Sequence, residues 1–484
     1  MPDYDFILAG GGLAGLSLAY HLINSPLRDR SLLIVDKDAK QQNDRTWCFW
    51  EEQPTLFDEI AYRVWPRLRF VGDDFTREFD LAPYRYQMIR GLDFYRFTRE
   101  KLAERGKVTF VRGNIDRVED GADRATVIVD GQAFSGTWVF DSTLPASLRG
   151  SVPTSLRSVP MGLRGTQDAQ RATQPGAETW RERNEVESKR ASAQPPRGTK
   201  QSPASQDGIA SHPSTSPHAL RDAAPLTPYP QSGGAPGGML AIPQGRYAVT
   251  VDGHYHHLKQ HFRGWEIETD RPCFDPQLPT LFDFRTPQDG HMRFVYTLPF
   301  AENRALIEYT VFSARLLPSE EYDAGLKTYV EDRLSIRQYE IKHVEAGVIP
   351  MTDQPFPRRL GERVMSIGTK GGRVKPSTGY AFLRVQRDSA AIVQSLVEHQ
   401  EPFDLPAQRG RFGLHDSILL NIMTRHPDDL KPIFTLMFRN NPVQRIFRFL
   451  DETISFNEEA RFIASLPPGR FLQALFRLKV LRRV

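Results

Sequence analysis

Two glycine-rich segments and two carboxylates set among apolar residues are the parts of this chain best suited to chemistry. Residues 367–383 read IGTKGGRVKPSTGYAFL. Gly371, Gly372 and Gly379 allow close backbone approach and positive φ. Pro376 and Ser377 set up a turn into a helix-like run, Tyr380–His399. The start of such a helix points unpaired N–H groups outward, which suits a phosphate or a flavin pyrimidine. The chain opens with the other half of a dinucleotide site, DFILAGGGLAGLSLAYHL. Asp5–Ala9 reads as a buried parallel strand, and Gly10, Gly12 and Gly15 follow it as G-x-G-x-x-G. Leu16–Leu22 is an apolar helical stretch, and a second strand, Ser31–Val35, ends in Asp36. That acid stands about 20 residues past the glycines, where a carboxylate holds a ribose hydroxyl pair.

Glu308 follows Leu306 and Ile307 and precedes Tyr309. Desolvation disfavours the charged form, so a glutamic acid in such surroundings keeps its proton. These residues leave open a Glu308 on the solvent face of its strand, or one paired with Arg304. Asp283 lies between Phe282 and Phe284 and suits either an ionised carboxylate beside a cation or a salt bridge to Arg285. Asp141 ends the strand Thr137–Phe140, a place for touching a cofactor or for an ordinary turn. His257 and His261 are spaced i, i+4, but no helical pattern or matched carboxylate accompanies them, so no metal site is expected.

The elements that must position these residues follow from length and pattern. A chain of 484 residues predicts two or three domains. The fold class expected is α/β: a Rossmann-like dinucleotide-binding domain, an antiparallel-sheet substrate domain and a helical C-terminal region. Residues 1–145 form the first part of the cofactor domain, with inserted elements. Residues 146–253 form a polar insert whose segment Thr166–Gly237, rich in Pro, Ser, Gln, Arg and Gly, is predicted to be disordered. Residues 254–350 hold the substrate sheet, with strands at Trp265–Glu268, Met292–Leu298 and Arg304–Phe312. Residues 351–400 supply the second cofactor segment, and 401–484 the C-terminal helices. The net charge of +4 points to no nucleic-acid partner. Two cysteines, Cys48 and Cys273, no C-x-x-C, no signal peptide before Asp5 and no apolar run of spanning length fit a cytoplasmic protein. The tail Arg470–Val484 is basic and apolar with no acid, the pattern of a helix lying on a membrane surface or packed on the core.

The chain resembles the bacterial lycopene cyclases, flavin-dependent carotenoid cyclases. The resemblance is carried by GGGLAG, DRTWCFWE at Asp44–Glu51, HFRGWEIET at His261–Thr269 and FDF at Phe282–Phe284. FVYTLPF at Phe294–Phe300, RALIEYT at Arg304–Thr310 and KPSTGYAF carry it further. It implies an FAD-binding domain, FAD that is active when reduced, NAD(P)H as an indirect reductant, and β-ring closure of lycopene or a related linear carotene. That reaction has no net redox change. The resemblance implies Glu308 as the acid; by their own positions, Asp283 between two phenylalanines is a candidate to steady the ring cation, and Lys375 or Arg373, flanking the second glycine segment, to face a reduced flavin. It also implies peripheral docking on a membrane, where lycopene dissolves. The alternatives are a flavin monooxygenase or prenyl reductase on the same fold, or a carotenoid-binding protein without catalysis.

Overall fold

The apolar N-terminal run forms β1 (Asp3–Ala9), whose Ile7, Leu8 and Ala9 are fully buried. It lies between β2 (Leu32–Asp36) and β11 (Gln132–Asp141), parallel to both. Parallel neighbours need a crossover, and α1 (Leu13–Ile23) supplies it between β1 and β2. Beyond β2 the sheet continues with β8 (Val108–Arg112). Beyond β11 it continues antiparallel with β10 (Ala125–Val129) and β9 (Ile115–Glu119). The short β17 (Val364–Ser366) pairs in parallel with the end of β11 and delivers residues 367 onward to the mouth of these strands. Helices α1, α2 (Gly91–Ala103) and α4 (Phe382–His399) cover one face, sharing a core of Leu8, Leu16, Phe94 and Ile392. The computed structural model describes residues 1–105, 107–144, 252–407 and 410–481. The predicted disordered segment Thr166–Gly237 and the last residues of the tail lie outside them.

A second sheet, seven-stranded among the described residues, runs β16-β12-β15-β14-β13-β5-β6. Its centre is β12 (His257–Thr269), flanked by β15 (Arg304–Ser313) and β16 (Tyr339–Thr352), both antiparallel to it. Next to β15 come β14 (Met292–Ala301) and β13 (Thr280–Asp283). The strand expected at Trp265–Glu268 is 13 residues long. Both its faces are buried along much of its length, so the polar/apolar alternation that reveals a half-exposed strand is muted. The sheet also takes in β5 (Arg67–Val71) and β6 (Thr76–Asp80), so residues 254–350 do not complete it. That pairing joins segments some 200 residues apart, and no local pattern reports it.

The two faces of this sheet are distinct. One carries Trp265, Ile307 and Tyr309 and packs under α3 (Ser319–Thr328) and the turn Tyr329–Arg333. The other carries Phe294, Leu306 and Phe312 and is covered by α5 (Gly410–Arg425), α6 (Leu430–Asn440) and α7 (Val443–Leu450). A third sheet of β3 (Thr46–Glu51), β7 (Arg85–Arg90) and β4 (Arg63–Trp65) joins that cover, with Trp50 stacked on Phe447 at 4.3 Å. After α8 (Phe456–Ala464) the chain ends in α9 (Pro468–Leu481), which buries Ala474 and Leu478. It leaves Leu472 61% and Phe476 71% exposed. No described helix is long and apolar enough to cross a membrane.

Candidate active site

The turn after β1 is built to admit a phosphate. Gly10 has φ +116°, and a Cβ on Gly15 would stand 1.9 Å from the Gly10 carbonyl oxygen, so the turn closes only around glycine. Gly12 caps α1 in an extended conformation with no side-chain cap, and a Cβ there would meet nothing within 4 Å. The first N–H groups of α1 therefore face open space, a cradle that fits a pyrophosphate. At the end of β2, Asp36 accepts hydrogen bonds from Gly11 N–H and Asp38 N–H, each at 2.8 Å. Beside it lies a cavity of about 760 Å³ lined by Lys37, Asp38, Asp44, Arg112 and Asn114 among others.

The second segment closes on the first. Gly368, at φ +61°, comes so near α1 that a Cβ would stand 2.6 Å from Ala14 Cβ. Ile367 N–H donates to the Asp141 carbonyl at 3.0 Å. The Asp141 carboxylate is buried, ion-paired with Lys370 and hydrogen-bonded by Thr143. Gly371 N–H returns to Ile367 at 3.1 Å, and Gly372 follows at φ +71°. After the half-buried Pro376, Gly379 N–H donates to the Lys375 carbonyl at 2.9 Å. Gly379, at φ +73°, sits directly on the second sheet: a Cβ would lie 2.2 Å from Gln260 Oε1 and 3.4 Å from Ile349 Cγ2.

Four residues along β12 from Gln260, roughly 13 Å at the rise of a strand, lies Gly264. Glu308 of β15 and Glu345 of β16 are its register partners on either side. Their side chains share the face that carries Leu306 and Phe312, and Tyr296 of β14 stands opposite Glu308. Glu308 accepts from the Thr310 hydroxyl at 2.9 Å, and Glu345 accepts from the Thr46 hydroxyl at 2.7 Å. Glu345 Oε1 is buried and has no hydrogen-bond partner among the described residues. Burial pushes the Glu308 carboxyl well above the usual carboxylate range, and the neighbouring Glu345 charge pushes it further. Burial also raises Glu345, while the Thr46 hydroxyl and Glu308 pull it back. Both causes favour the protonated form of Glu308, the form in which a carboxyl in an apolar site can donate a proton.

A profile of the lycopene cyclase protein family matches residues 5–163 and 238–476. The chain belongs to the lycopene cyclase family. Among similar proteins, a lycopene beta-cyclase from Paracoccus sp. is 48% identical over 128 residues, 25% of this chain and 32% of that protein. A lycopene beta cyclase from Narcissus pseudonarcissus is 35% identical over 169 residues, 32% of each chain. The matched stretch thus spans about a third of these relatives' length. Among solved structures, Klebsiella pneumoniae HpxO complexed with FAD and uric acid has a TM-score of 0.54. It is 16% identical, with 96% of this chain and 97% of that one covered. A geranylgeranyl bacteriochlorophyll reductase-like protein from Thermoplasma acidophilum has a TM-score of 0.50 at 10% identity, with 99% and 100% covered. These likenesses show the flavoprotein fold.

Within this lycopene cyclase fold two expected roles meet contrary geometry. Asp283 turns to the face opposite Glu308, where its carboxylate binds Arg285 at 2.7 Å and the Tyr329 hydroxyl at 2.8 Å. Phe282 and Phe284 on either side of it both pack into the core on the Glu308 face, so strand alternation turns Asp283 the other way, into its salt bridge with Arg285. Lys375 is buried between Asp416 at 3.1 Å and Glu452 at 3.0 Å, so its charge is compensated inside the protein and not directed outward. Arg304 pairs with Glu266, not with Glu308. No group of described residues forms a metal site. Glu345 and Thr46 escaped sequence reasoning. The signal available was HVEAGVIP, a lone acid flanked by Val344 and Ala346, of the same kind that marks Glu308.

Proposed function

We propose that this chain is a lycopene β-cyclase that closes the linear ends of lycopene into β-rings by acid–base chemistry. The observation that carries the reading is Glu308: a carboxyl whose surroundings favour its protonated form, on the face where the Gly379 turn rests. The O–H bond of Glu308 breaks as its proton adds to the terminal double bond. The internal double bond attacks the resulting cation, and a ring proton is then lost to a carboxylate. Neither carbon skeleton nor chain is oxidised. Phe294, Tyr296 and the aromatic rings around them exclude water and offer π faces to positive charge. Gly10, Gly12, Gly15 and Asp36 would hold the diphosphate and ribose of FAD, and the segment from Gly368 to Gly379, Pro376 included, its isoalloxazine end. Asp141 acts there through Lys370, anchoring the segment. Reduced FAD, when bound, would supply negative charge that steadies the cation, with NAD(P)H the indirect source of electrons. The exposed Leu472 and Phe476 of α9 form the face by which this peripheral protein reaches carotene in a membrane.

The deciding experiment is anaerobic incubation of FAD-loaded protein with lycopene in liposomes, at a small excess of reductant over flavin. The expected product has unchanged mass, shifted retention and a shorter-wavelength spectrum, over many turnovers per flavin reduced. A gain of two hydrogens or one oxygen would assign the chain to a reductase or a monooxygenase instead. Bound but unaltered lycopene would indicate a carrier.

A further inference from the structure

Glu308 has a partner that the proposed reaction can use. Glu308, Gly264 and Glu345 lie side by side on three adjacent strands, at the same level of the ladder. Strands two places apart are separated by roughly 9–10 Å, and a side chain between them normally fills the gap. Here the middle residue has none. A Cβ on Gly264 would stand 3.0 Å from Leu306 Cδ1, 3.1 Å from Glu345 Cγ and 3.6 Å from Glu308 Cβ. The Glu345 charge acts on Glu308 across this opening, while Glu345 Oε1 makes no hydrogen bond to a described residue. Each is secured by one hydroxyl from outside the pair, Thr310 on Glu308 and Thr46 on Glu345.

We infer that Glu308 and Glu345 act as one proton-sharing pair over Gly264, with Glu308 carrying the proton and Glu345 the charge. The inference rests on the cyclase reading for its use, though not for its geometry. In the ground state the pair holds one proton and one negative charge. Donation from Glu308 forms the C–H bond at the terminal alkene carbon and leaves two carboxylates side by side. Like charges at that separation favour return of a proton. Loss of the ring proton to the pair restores the C=C bond and the one-proton state. Protons and electrons balance over each ring closed, with no co-reactant. Glu345 is a positioning residue: it acts through Glu308 by making the second charge costly.

Among the groups facing the pair, His343 is the one whose positive charge would favour ionised Glu345. Tyr296 and Tyr380, with Cys48 and Tyr86 beyond them, are all pushed up by burial and remain neutral. Glu266 of β12 is compensated by Arg304. His343, two residues before Glu345, leaves its Nε2 without a partner among the described residues.

The test uses full-length, FAD-loaded protein and two readouts. pH-difference infrared spectroscopy follows the carboxylic-acid C=O band, which needs no turnover, and the pH profile of kcat follows cyclisation. Glu308→Gln should abolish the band. Glu345→Gln should keep the band but move its titration, and the alkaline limb of kcat, to lower pH, because the neighbouring charge is gone. Glu345→Asp should restore part of the shift. Gly264→Ala retains both acids, forces them apart and should move the band in the same direction; it serves if Glu345→Gln does not fold. A band and an alkaline limb unmoved in Glu345→Gln, with FAD content at the wild-type level, would overturn the pair. Wild-type protein that shows the band and its shift yet makes no cyclic product would uphold the pair and defeat the cyclase reading.

Discussion

Gly379 of the second glycine segment rests against Gln260 on the central strand of the substrate sheet, so close that a Cβ would stand 2.2 Å from Gln260 Oε1. This contact joins the cofactor cradle to the strand whose Gly264 lies between Glu308 and Glu345. Gly379→Ala meets two penalties: the clash, and a left-handed φ of +73°. The amide end of Gln260 can swing away, but the backbone strain stays, at about 1–2 kcal/mol. Thermal melts and FAD content should both fall in Gly379→Ala. Adding Gln260→Ala should recover only the part owed to the clash.

Glu308→Gln removes the proposed acid and keeps its shape. Cyclisation should fall about 10²- to 10⁴-fold, the usual worth of a positioned general acid, while FAD content and melting temperature stay near wild type. Residual activity close to wild type would show that another group supplies the proton.

Asp283→Asn should behave differently, because Asp283 faces the other side of the sheet. It would weaken the contacts to Arg285 and the Tyr329 hydroxyl. The expected loss is about 1–3 kcal/mol of stability for disturbing a buried charged group, read by urea unfolding. The turnover number at a temperature where the variant is folded should be unchanged. A drop in kcat without a drop in stability would return Asp283 to the mechanism.

His261 predicts a pH dependence of stability. It is fully buried, between the Tyr322 hydroxyl at 2.5 Å and Ser313 Oγ at 2.8 Å. Ser313 donates its own hydrogen to the Arg315 carbonyl, so His261 Nε2 carries the proton and Nδ1 accepts from Tyr322. Burial lowers its pKa from 6.5 to about 4. A depressed histidine contributes stability that is complete above pH 6.5 and declines as pH falls toward 4. The loss is on the order of 2–3 kcal/mol. Unfolding free energies at pH 7 and pH 4.5 should differ by less in His261→Gln than in wild type. An equal difference in both proteins would place the acid sensitivity elsewhere.

Leu472 and Phe476 stand out from α9 while Ala474 and Leu478 anchor it. Replacing both exposed residues by Ser should reduce binding to lycopene-loaded anionic vesicles about tenfold or more, from the apolar area no longer buried in lipid. Stability should change little, since surface substitutions cost within about 0.5 kcal/mol. Undiminished sedimentation with vesicles would show that another face docks.

The sequence by itself determined the cofactor half. Glycines at 10, 12 and 15, between a continuous apolar run and an apolar helix and followed by Asp36, encode their geometry within about 30 residues. The positive φ angles at Gly372 and Gly379 were legible for the same reason: no other residue type adopts them at so little cost. For Glu308, the neighbours Ile307 and Tyr309 left a solvent-facing acid open, and only the family resemblance singled it out. What only tertiary structure decided is who stands beside whom. Strand pairing joined β5 and β6 to a sheet from the middle of the chain. Charges from the C-terminal helices and the loop after α7 closed around Lys375. Register placed Glu345 across Gly264 from Glu308, 37 residues away in the chain. Each of these depends on contacts between distant segments, whose cost is paid in loop closure and whose gain appears only when both faces of the sheet are covered. A side-chain pattern read along one strand reports what that strand buries. It does not report the strand that comes to lie next to it.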